Sequence, residues 1–192
     1  KPNVSASRWP VAGTTGYDAM REVNGVFIDH DRERDFTTLY QRLTNDQRMI
    51  SDHIEAGKRM AVEVLLPAEV RRMAALAPNA PDAAPALAEI AIAFDVYRSY
   101  LPDGVADLDH AIATAKQRRP ELAAVIDQLS PRLHDHCDDL ALRMQQLSGA
   151  AMAKGVEDTA YYRYSRFIAL NEVGGDPSHF GIPLHDFHAM QV

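Results

Sequence analysis

Apolar residues recur at three- and four-residue steps through the middle of the chain, the spacing of one helical face. After Pro85, the residues Leu87, Ile90, Phe94, Tyr97 and Leu101 make one stripe of about four turns. A second stripe, Leu133, Cys137, Leu140, Met144 and Leu147, follows Ser130-Pro131, with Ser130 placed to cap and Pro131 at the first helical position. Ile50, Ile54, Gly57, Ala61, Val64 and Leu65 form a third. Pro67 and Pro120 stand where a proline can open a helix, ahead of Val70/Met73/Ala74/Ala77 and Leu122/Val125/Ile126/Leu129. Residues 31–147 therefore read as six or seven amphipathic helices with short joints at 78–85 and Pro102-Asp103-Gly104. Alanine, at 29 of 192 residues, tilts the same way.

The two ends break this pattern. Residues 9–18 carry two glycines and little amphipathic order, with either a short strand or, its edges being unpaired without neighbouring strands, coil around Trp9–Ala12. Residues 149–183 carry Gly149, Gly155, Gly174, Gly175 and Gly181 among charged and aromatic residues, and a helix is expected over Asp158–Leu170 with Tyr161, Tyr164 and Ile168 on its buried face. Glycine-rich polar segments holding aromatics are common where backbone approaches a ligand. The middle reads as scaffold and the ends as site.

Composition narrows the function. Twenty Lys+Arg against 27 Asp+Glu leave a net charge of −7, which speaks against a nucleic-acid or anionic-membrane binder. No apolar run approaches the ~20 residues of a membrane span. The single cysteine, Cys137, cannot close an internal disulfide, so a disulfide-stapled secreted fold is excluded and the cytoplasm is the default compartment. The first residue is Lys1, which suggests a processed or excised piece.

Several chemistries can be weighed on spacing. His134, His136, Cys137, Asp138 and Asp139 form a dense donor cluster, yet Cys137 belongs to the apolar stripe and is expected in the core, so no metal is assigned. His179, His185 and His188 lack a further ligand at fixed spacing. Gly13-Thr14-Thr15-Gly16 has neither the Lys-Ser/Thr ending of a phosphate loop nor a third glycine, and no Gly-x-Ser-x-Gly elbow exists. No cofactor is expected. Carbohydrate recognition fits the ends better, because planar aromatics with charged and amide groups can bridge sugar hydroxyls. Tyr17, Asp18, Lys154, Glu157, Asp158, Tyr161, Tyr162, Arg163, Tyr164, Asn171 and Glu172 supply that inventory. The competing reading is structural: Glu157 and Asp158 would sit in a helix's first turn, favoured by its dipole, and Asp176-Pro177 would be a helix cap and first residue.

At these same ends the chain resembles a known family. The strings Trp9-Pro10-Val11-Ala12-Gly13-Thr14-Thr15-Gly16-Tyr17-Asp18, Met152-Ala153-Lys154-Gly155-Val156-Glu157-Asp158-Thr159-Ala160-Tyr161-Tyr162-Arg163-Tyr164, Leu170-Asn171-Glu172-Val173-Gly174-Gly175-Asp176-Pro177 and Phe180-Gly181 are similar to maltooligosyl trehalose synthases. One departure is Gly149-Ala150-Ala151-Met152, where that family usually has Gly-Pro-Val-Met; a rigid backbone position is lost but no chemical group.

The resemblance implies a piece of an α-amylase-superfamily (β/α)8-barrel enzyme. That enzyme converts the reducing-end α-1,4 link of a maltooligosaccharide into an α,α-1,1 link by intramolecular transfer. The implied fold of this chain is mainly α, an irregular multi-helix subdomain whose coil-rich ends belong to an absent barrel. Residues 1–30 would be a barrel-derived entry segment, 31–147 the helical insert and 148–192 an active-site-facing segment. The implied glucose-gripping wall is Lys154, Glu157, Asp158, Tyr162, Arg163 and Asn171, with Tyr17 and Asp18 nearby. Retaining transfer needs two carboxyl groups about 5–5.5 Å apart, and adjacent Glu157 and Asp158 share one backbone and cannot straddle a sugar ring. The resemblance places the nucleophile and general acid before the Gly-Thr-Thr-Gly-Tyr-Asp string and the third essential aspartate beyond Phe187-His188, so it implies that the catalytic pair lies outside this chain and that the chain alone is inactive. An apolar patch left uncovered would be expected to pair two copies. Two other readings stay open: a related α-glucan hydrolase that admits water, and a free-standing helical interaction module.

Overall fold

A computed structural model describes residues 16–190. The helices are α1 (Tyr17–Gly25), α2 (Glu33–Thr44), α3 (Ile50–Met60), α4 (Pro67–Ala74), α5 (Ala83–Ala93), α6 (Val105–Arg118), α7 (Ala123–His134), α8 (Asp139–Ala151), the single turn α9 (Tyr161–Arg163) and α10 (Leu184–Met190). Short 3-10 turns cover His30–Arg32, Pro120–Leu122 and Ile168–Asn171, and π-helix covers Ala61–Leu65 and Met152–Ala160. The described residues contain no strand, as the mainly-α reading expects. The segment Trp9–Ala12, read as short strand or coil, lies outside them. Two compact units divide the chain: one holds residues up to His53 and from Ala160 onward, the other is Ile54–Thr159.

The unit Ile54–Thr159 is built around α5. This helix is apolar on every side, the signature of a helix surrounded by others. Ala86, Leu87, Ile90 and Ala91 are fully buried, and α4, α6, α7 and α8 pack around them. Leu108, Ala111 and Ala115 of α6, Ile126, Leu129 and Leu133 of α7, and Leu140 and Met144 of α8 complete one continuous core. Pro67 is the first residue of α4, and Pro120 opens the 3-10 turn that leads into α7. Charge enters this core in paired form: Glu89, 1% exposed, receives a bidentate guanidinium from Arg59 at 3.0 Å on each arm.

Several expectations need correction. The stripe after Pro85 ends as a helix at Ala93, because Phe94 turns extended (ψ 133°); Tyr97 and Leu101 lie beyond it. The helix expected from Ser130 is two helices. Pro131 sits inside α7, and the chain turns at 135–138 before α8 begins. Two aspartates cause the break: Asp135 Oδ1 accepts the Cys137 amide at 3.0 Å, and Asp138 Oδ1 accepts the Leu140 amide at 2.8 Å. Cys137 is consequently exposed, not a core residue. In the third stripe, the π-segment Ala61–Leu65 slips the register, so Val62 is buried while Val64 and Leu65 are exposed. Last, Asp158–Leu170 is not one α-helix: π-helix runs to Ala160, α9 ends at Arg163, and the chain bends before the 3-10 turn at Ile168. Tyr164 is buried as expected, but Ile168 is 68% exposed. Asp176-Pro177 opens no helix either; Asp176 closes a turn by accepting the Ser178 amide at 2.9 Å.

The other unit has a smaller interior, made largely of rings. Phe36 of α2 meets Phe167 and Phe180 at centroid distances of 4.8 and 5.5 Å, and Tyr40 meets Tyr164 at 5.1 Å. These pairs join α2 to the irregular chain after α9.

Candidate functional site

The sequence-derived site residues fall into two sets, one in each unit. In Ile54–Thr159 they ride on the π-helix Met152–Ala160, a form found mostly as single turns and often at functional positions. Its wide turn is filled by Thr159 Oγ1, which donates to the Lys154 carbonyl five residues back at 2.7 Å. Gly155 sets its depth. A β-carbon there would lie 2.5 Å from Lys58 Cα and 2.6 Å from Lys58 N, so the π-helix rests directly on the α3 backbone. Below that crossing the Lys58 ammonium is buried, donating to the Phe94 carbonyl at 2.5 Å with Asp95 at 3.8 Å, and burial pushes its pKa down. Above it, Lys154 and Asp158 form an exposed ion pair at 2.7 Å, and the hydrogen bond to Asp158 pushes the Lys154 pKa up. Glu157 is half-buried. The arrangement offers a cation and a carboxylate side by side, suited to bridging neighbouring hydroxyls.

In the other unit, Tyr162 and Arg163 stand on α9 with Tyr162 81% exposed. The backbone beneath them is well anchored. Tyr40 donates its hydroxyl to the Arg163 carbonyl at 3.1 Å, and Tyr164 turns inward between Tyr40 and His53. Burial holds His53 below its usual pKa. Asn171 has a task of its own: Nδ2 donates to the carbonyls of Tyr161 and Tyr164 at 2.5 and 3.1 Å, closing the end of α9. Its amide nitrogen is thus spent on backbone, and the side chain positions the turn that bears Tyr162 and Arg163.

Tyr17 and Asp18 open α1 behind Gly16, which takes the left-handed conformation (φ 80°). Tyr17 is exposed and Asp18 half-buried. Gly174, also left-handed (φ 80°), lies against Tyr17; a β-carbon on it would sit 3.0 Å from the Tyr17 carbonyl oxygen. The Gly-Tyr-Asp and Gly-Gly-Asp-Pro strings, 157 positions apart between Tyr17 and Gly174, are therefore neighbours. A cavity of about 280 Å³ opens beside them, lined by Arg21 and Asn24 of α1, Glu172, Asp176, and Asp186 of α10, with Ile28, Leu170 and Ile182 as apolar wall. Sequence reasoning passed over Arg21, Asn24 and Asp186. A signal existed for the first two, since Tyr17, Arg21 and Asn24 are spaced i, i+4, i+7 on one face of α1. Burial of Asp176 opposes ionisation, but hydrogen bonds from Ser178 and His179 outweigh it and hold the carboxyl below its usual range.

Elsewhere, Asp135, His136 and Cys137 bring one donor atom each within 4.8 Å, all exposed on the turn between α7 and α8. His134 is held by the Ser130 carbonyl at 2.7 Å and by Asp109 at 2.8 Å. Among the described residues no helix is long and apolar enough to cross a membrane.

No family model matches the chain. Among curated proteins it is similar to the Mycobacterium tuberculosis protein named "Putative maltooligosyl trehalose synthase", 35% identical over 184 residues, 93% of this chain and 24% of that protein. Among solved structures it is similar to the maltooligosyltrehalose synthase of Arthrobacter ramosus, with 43% identity and a TM-score of 0.90 over 95% of this chain and 24% of that one. It is also similar to DSM5389 glycosyltrehalose synthase, with 28% identity and a TM-score of 0.72 over 95% of this chain and 22% of that one. The resemblance seen at the ends thus extends along nearly the whole chain, helical middle included. The chain spans about a quarter of the length of the relatives it matches.

Proposed function

We propose that this chain serves an intramolecular transglucosylase of the α-amylase superfamily. The reaction moves the reducing-end glucose of a maltooligosaccharide from an α-1,4 to an α,α-1,1 link. Residues 31–147 are the helical scaffold; 1–30 and 148–192 are the segments that meet a (β/α)8 barrel supplied by further polypeptide. The observation carrying this reading is the 43% identity over 95% of the chain to an enzyme named for that product.

The chemistry asks for three things: bond cleavage by a carboxylate pair, a grip on the released glucose, and exclusion of water until the glucose re-attacks. The first is read as lying outside this chain, because the resemblance puts the carboxylate pair on barrel strands, and Glu157 and Asp158, successive residues of one helix, cannot straddle a sugar ring. The second suits the side chains offered here. The Lys154–Asp158 pair can bridge adjacent hydroxyls, Tyr162 gives a ring face, and Arg163 and Glu157 add charged partners. Tyr17 and Asp18 contribute from α1, and Asn171 holds the α9 turn in place. Each set is proposed to face sugar from its own unit.

The test is a chimaera in which this chain replaces the matching quarter of the Arthrobacter ramosus enzyme. Incubated with maltopentaose, it should yield a non-reducing, trehalose-ended product. The chain by itself should yield none. In the chimaera, Lys154→Ala or Arg163→Ala should shift the balance from transfer towards glucose release. An unchanged rate and ratio removes that residue from the wall, and shorter maltodextrins in place of the trehalose-ended product favour a hydrolase.

A further inference from the structure

We propose that Arg166 is a positioning residue for glucose transfer, clamping the Gly174–Pro177 turn to α2 and so seating it on Tyr17. The proposal rests on the functional reading above for its consequence but on geometry for the clamp. Arg166 has a side chain only 5% exposed, rare for an arginine without a partner site. Its Nη1 donates to Thr37 Oγ1 at 2.7 Å and its Nη2 to the Pro177 carbonyl at 3.0 Å, while Nη2 also stands in an ion pair 2.8 Å from Glu33 Oε1. Thr37 is itself oriented, its hydroxyl donating to the Glu33 carbonyl one turn back at 2.8 Å. The guanidinium carbon lies 5.5 Å from the Tyr164 ring centroid and 5.0 Å from that of Phe180, within cation–π range of both. Nε is buried with no partner, a desolvation cost accepted in order to place a planar fork here.

One side chain thus joins three stretches far apart in sequence: α2 through Glu33 and Thr37, the bend after α9 through Tyr164, and the Gly174–Phe180 loop through Pro177 and Phe180. Beside the ring contacts of Phe180, polar side chains hold the loop at two points, Arg166 at Pro177 and Asn171 at the α9 end. Between them lies Gly174, whose missing β-carbon lets the turn meet the Tyr17 backbone. A lysine keeps the charge but offers a single ammonium, which cannot serve the Thr37, Pro177 and Glu33 oxygens in the fork's geometry. Releasing the clamp therefore lets Tyr17 and the turn move relative to α9 without touching any group that contacts sugar. A misplacement of about 1 Å in a transfer site costs on the order of 10²-fold in rate.

Two arms test this. In the chain itself, Arg166→Ala should shift the backbone amide signals of Tyr17, Gly174 and Gly175 together, and free guanidinium below unfolding concentration, against matched sodium chloride, should return them towards wild type. In the chimaera, Arg166→Ala should lower kcat about 10²-fold with KM changed less than about threefold, and guanidinium should restore part of the rate. Arg166→Lys should recover less than guanidinium does. Should Arg166→Ala fail to fold, Thr37→Val removes one acceptor and keeps the guanidinium; a loss of about tenfold in kcat, again without KM, is expected. Unmoved Tyr17 and Gly174 amides, or equal changes in kcat and KM, overturn the proposal. A chimaera with Arg166 intact that transfers nothing sinks the functional reading instead, and the amide shifts still decide the clamp.

Discussion

The two units solve the same problem, holding a helical chain together, by different means. Ile54–Thr159 hides its apolar side chains around α5 and leaves five large ones exposed among its residues: Val64, Leu65, Tyr100, Val105 and Leu142. The described residues of the other unit are fewer yet expose twelve, among them Tyr17, Met20, Val23 and Phe27 along one side of α1 and its continuation. Its interior is held by ring contacts, by Arg166, and by side chains that take up backbone carbonyls, as Tyr40 and Asn171 do. Burial gives the first unit stability that is spread over many residues. Directional contacts give the second its geometry through a few, which suits the proposed role of Tyr17, Tyr162 and Arg163 as parts of one sugar-facing surface.

The sharpest way to break this contrast is to truncate one leucine in each unit. Leu87→Ala, at a fully buried position of α5, should cost about 3–4 kcal/mol, the transfer term plus an unrelaxed cavity. Leu43→Ala in α2, 74% exposed, should stay within about 0.5 kcal/mol. Urea unfolding midpoints at unchanged slope measure both. Equal losses would mean that Leu43 is buried, and that the smaller unit does not expose the apolar surface assigned to it.

How far each unit was legible in the sequence follows the same line. The helices of Ile54–Thr159 could be read because burial repeats with helical period, and because Pro67 and Pro120 mark starts. Where the reading failed, a local interaction beat periodicity: Asp135 and Asp138 captured backbone amides and split a stripe that looked continuous. Two π-segments also escaped, since apolar spacing read at 3.6 residues per turn has no place for a five-residue step. The resemblance pointed to Lys154, Asp158 and Tyr162, which are indeed presented at the surface. Arg166 did not stand out, because its partners at Glu33, Thr37, Pro177 and Phe180 are brought to it by tertiary folding alone. The structural task of Asn171 was hidden for the same reason: its polar character was legible, but that its nitrogen is used by the carbonyls of Tyr161 and Tyr164 was not.

A middle-sized effect is expected where the larger unit uses a directional contact of its own. Asp138 caps α8 at Leu140 and takes a bidentate guanidinium from Arg132 at 2.8 and 2.9 Å, and Arg132 also reaches the Leu76 carbonyl at 2.6 Å. Asp138→Ala should cost about 2 kcal/mol, the upper end for a lost cap. The Arg132 hydrogen bonds hold the Asp138 carboxyl below its usual range. Its contribution is therefore complete above the unfolded value of about 4 and is lost as pH falls through the folded value. Thermal unfolding of wild type and Asp138→Ala should converge as the buffer is acidified, and a gap that widens instead would reverse the sign of the argument.

The smallest effect on stability belongs to the exposed apolar residues of the smaller unit, and there the informative quantity is a different one. Phe27 is 84% exposed and Leu43 74%. Replacing either by serine removes almost no buried area, so unfolding should shift by less than about 0.5 kcal/mol. Contiguous apolar surface does, however, drive association in water. If these side chains act as a sticky face, Phe27→Ser with Leu43→Ser should leave the melting temperature in place while lowering the concentration-dependent weight-average mass in sedimentation. The same pair of changes at Val64 and Leu65 of the larger unit should leave both quantities unmoved. Association that survives at Phe27 and Leu43 but disappears at Val64 and Leu65 would put the uncovered surface in the wrong unit, and with it the division between a unit that completes its own core and one that does not.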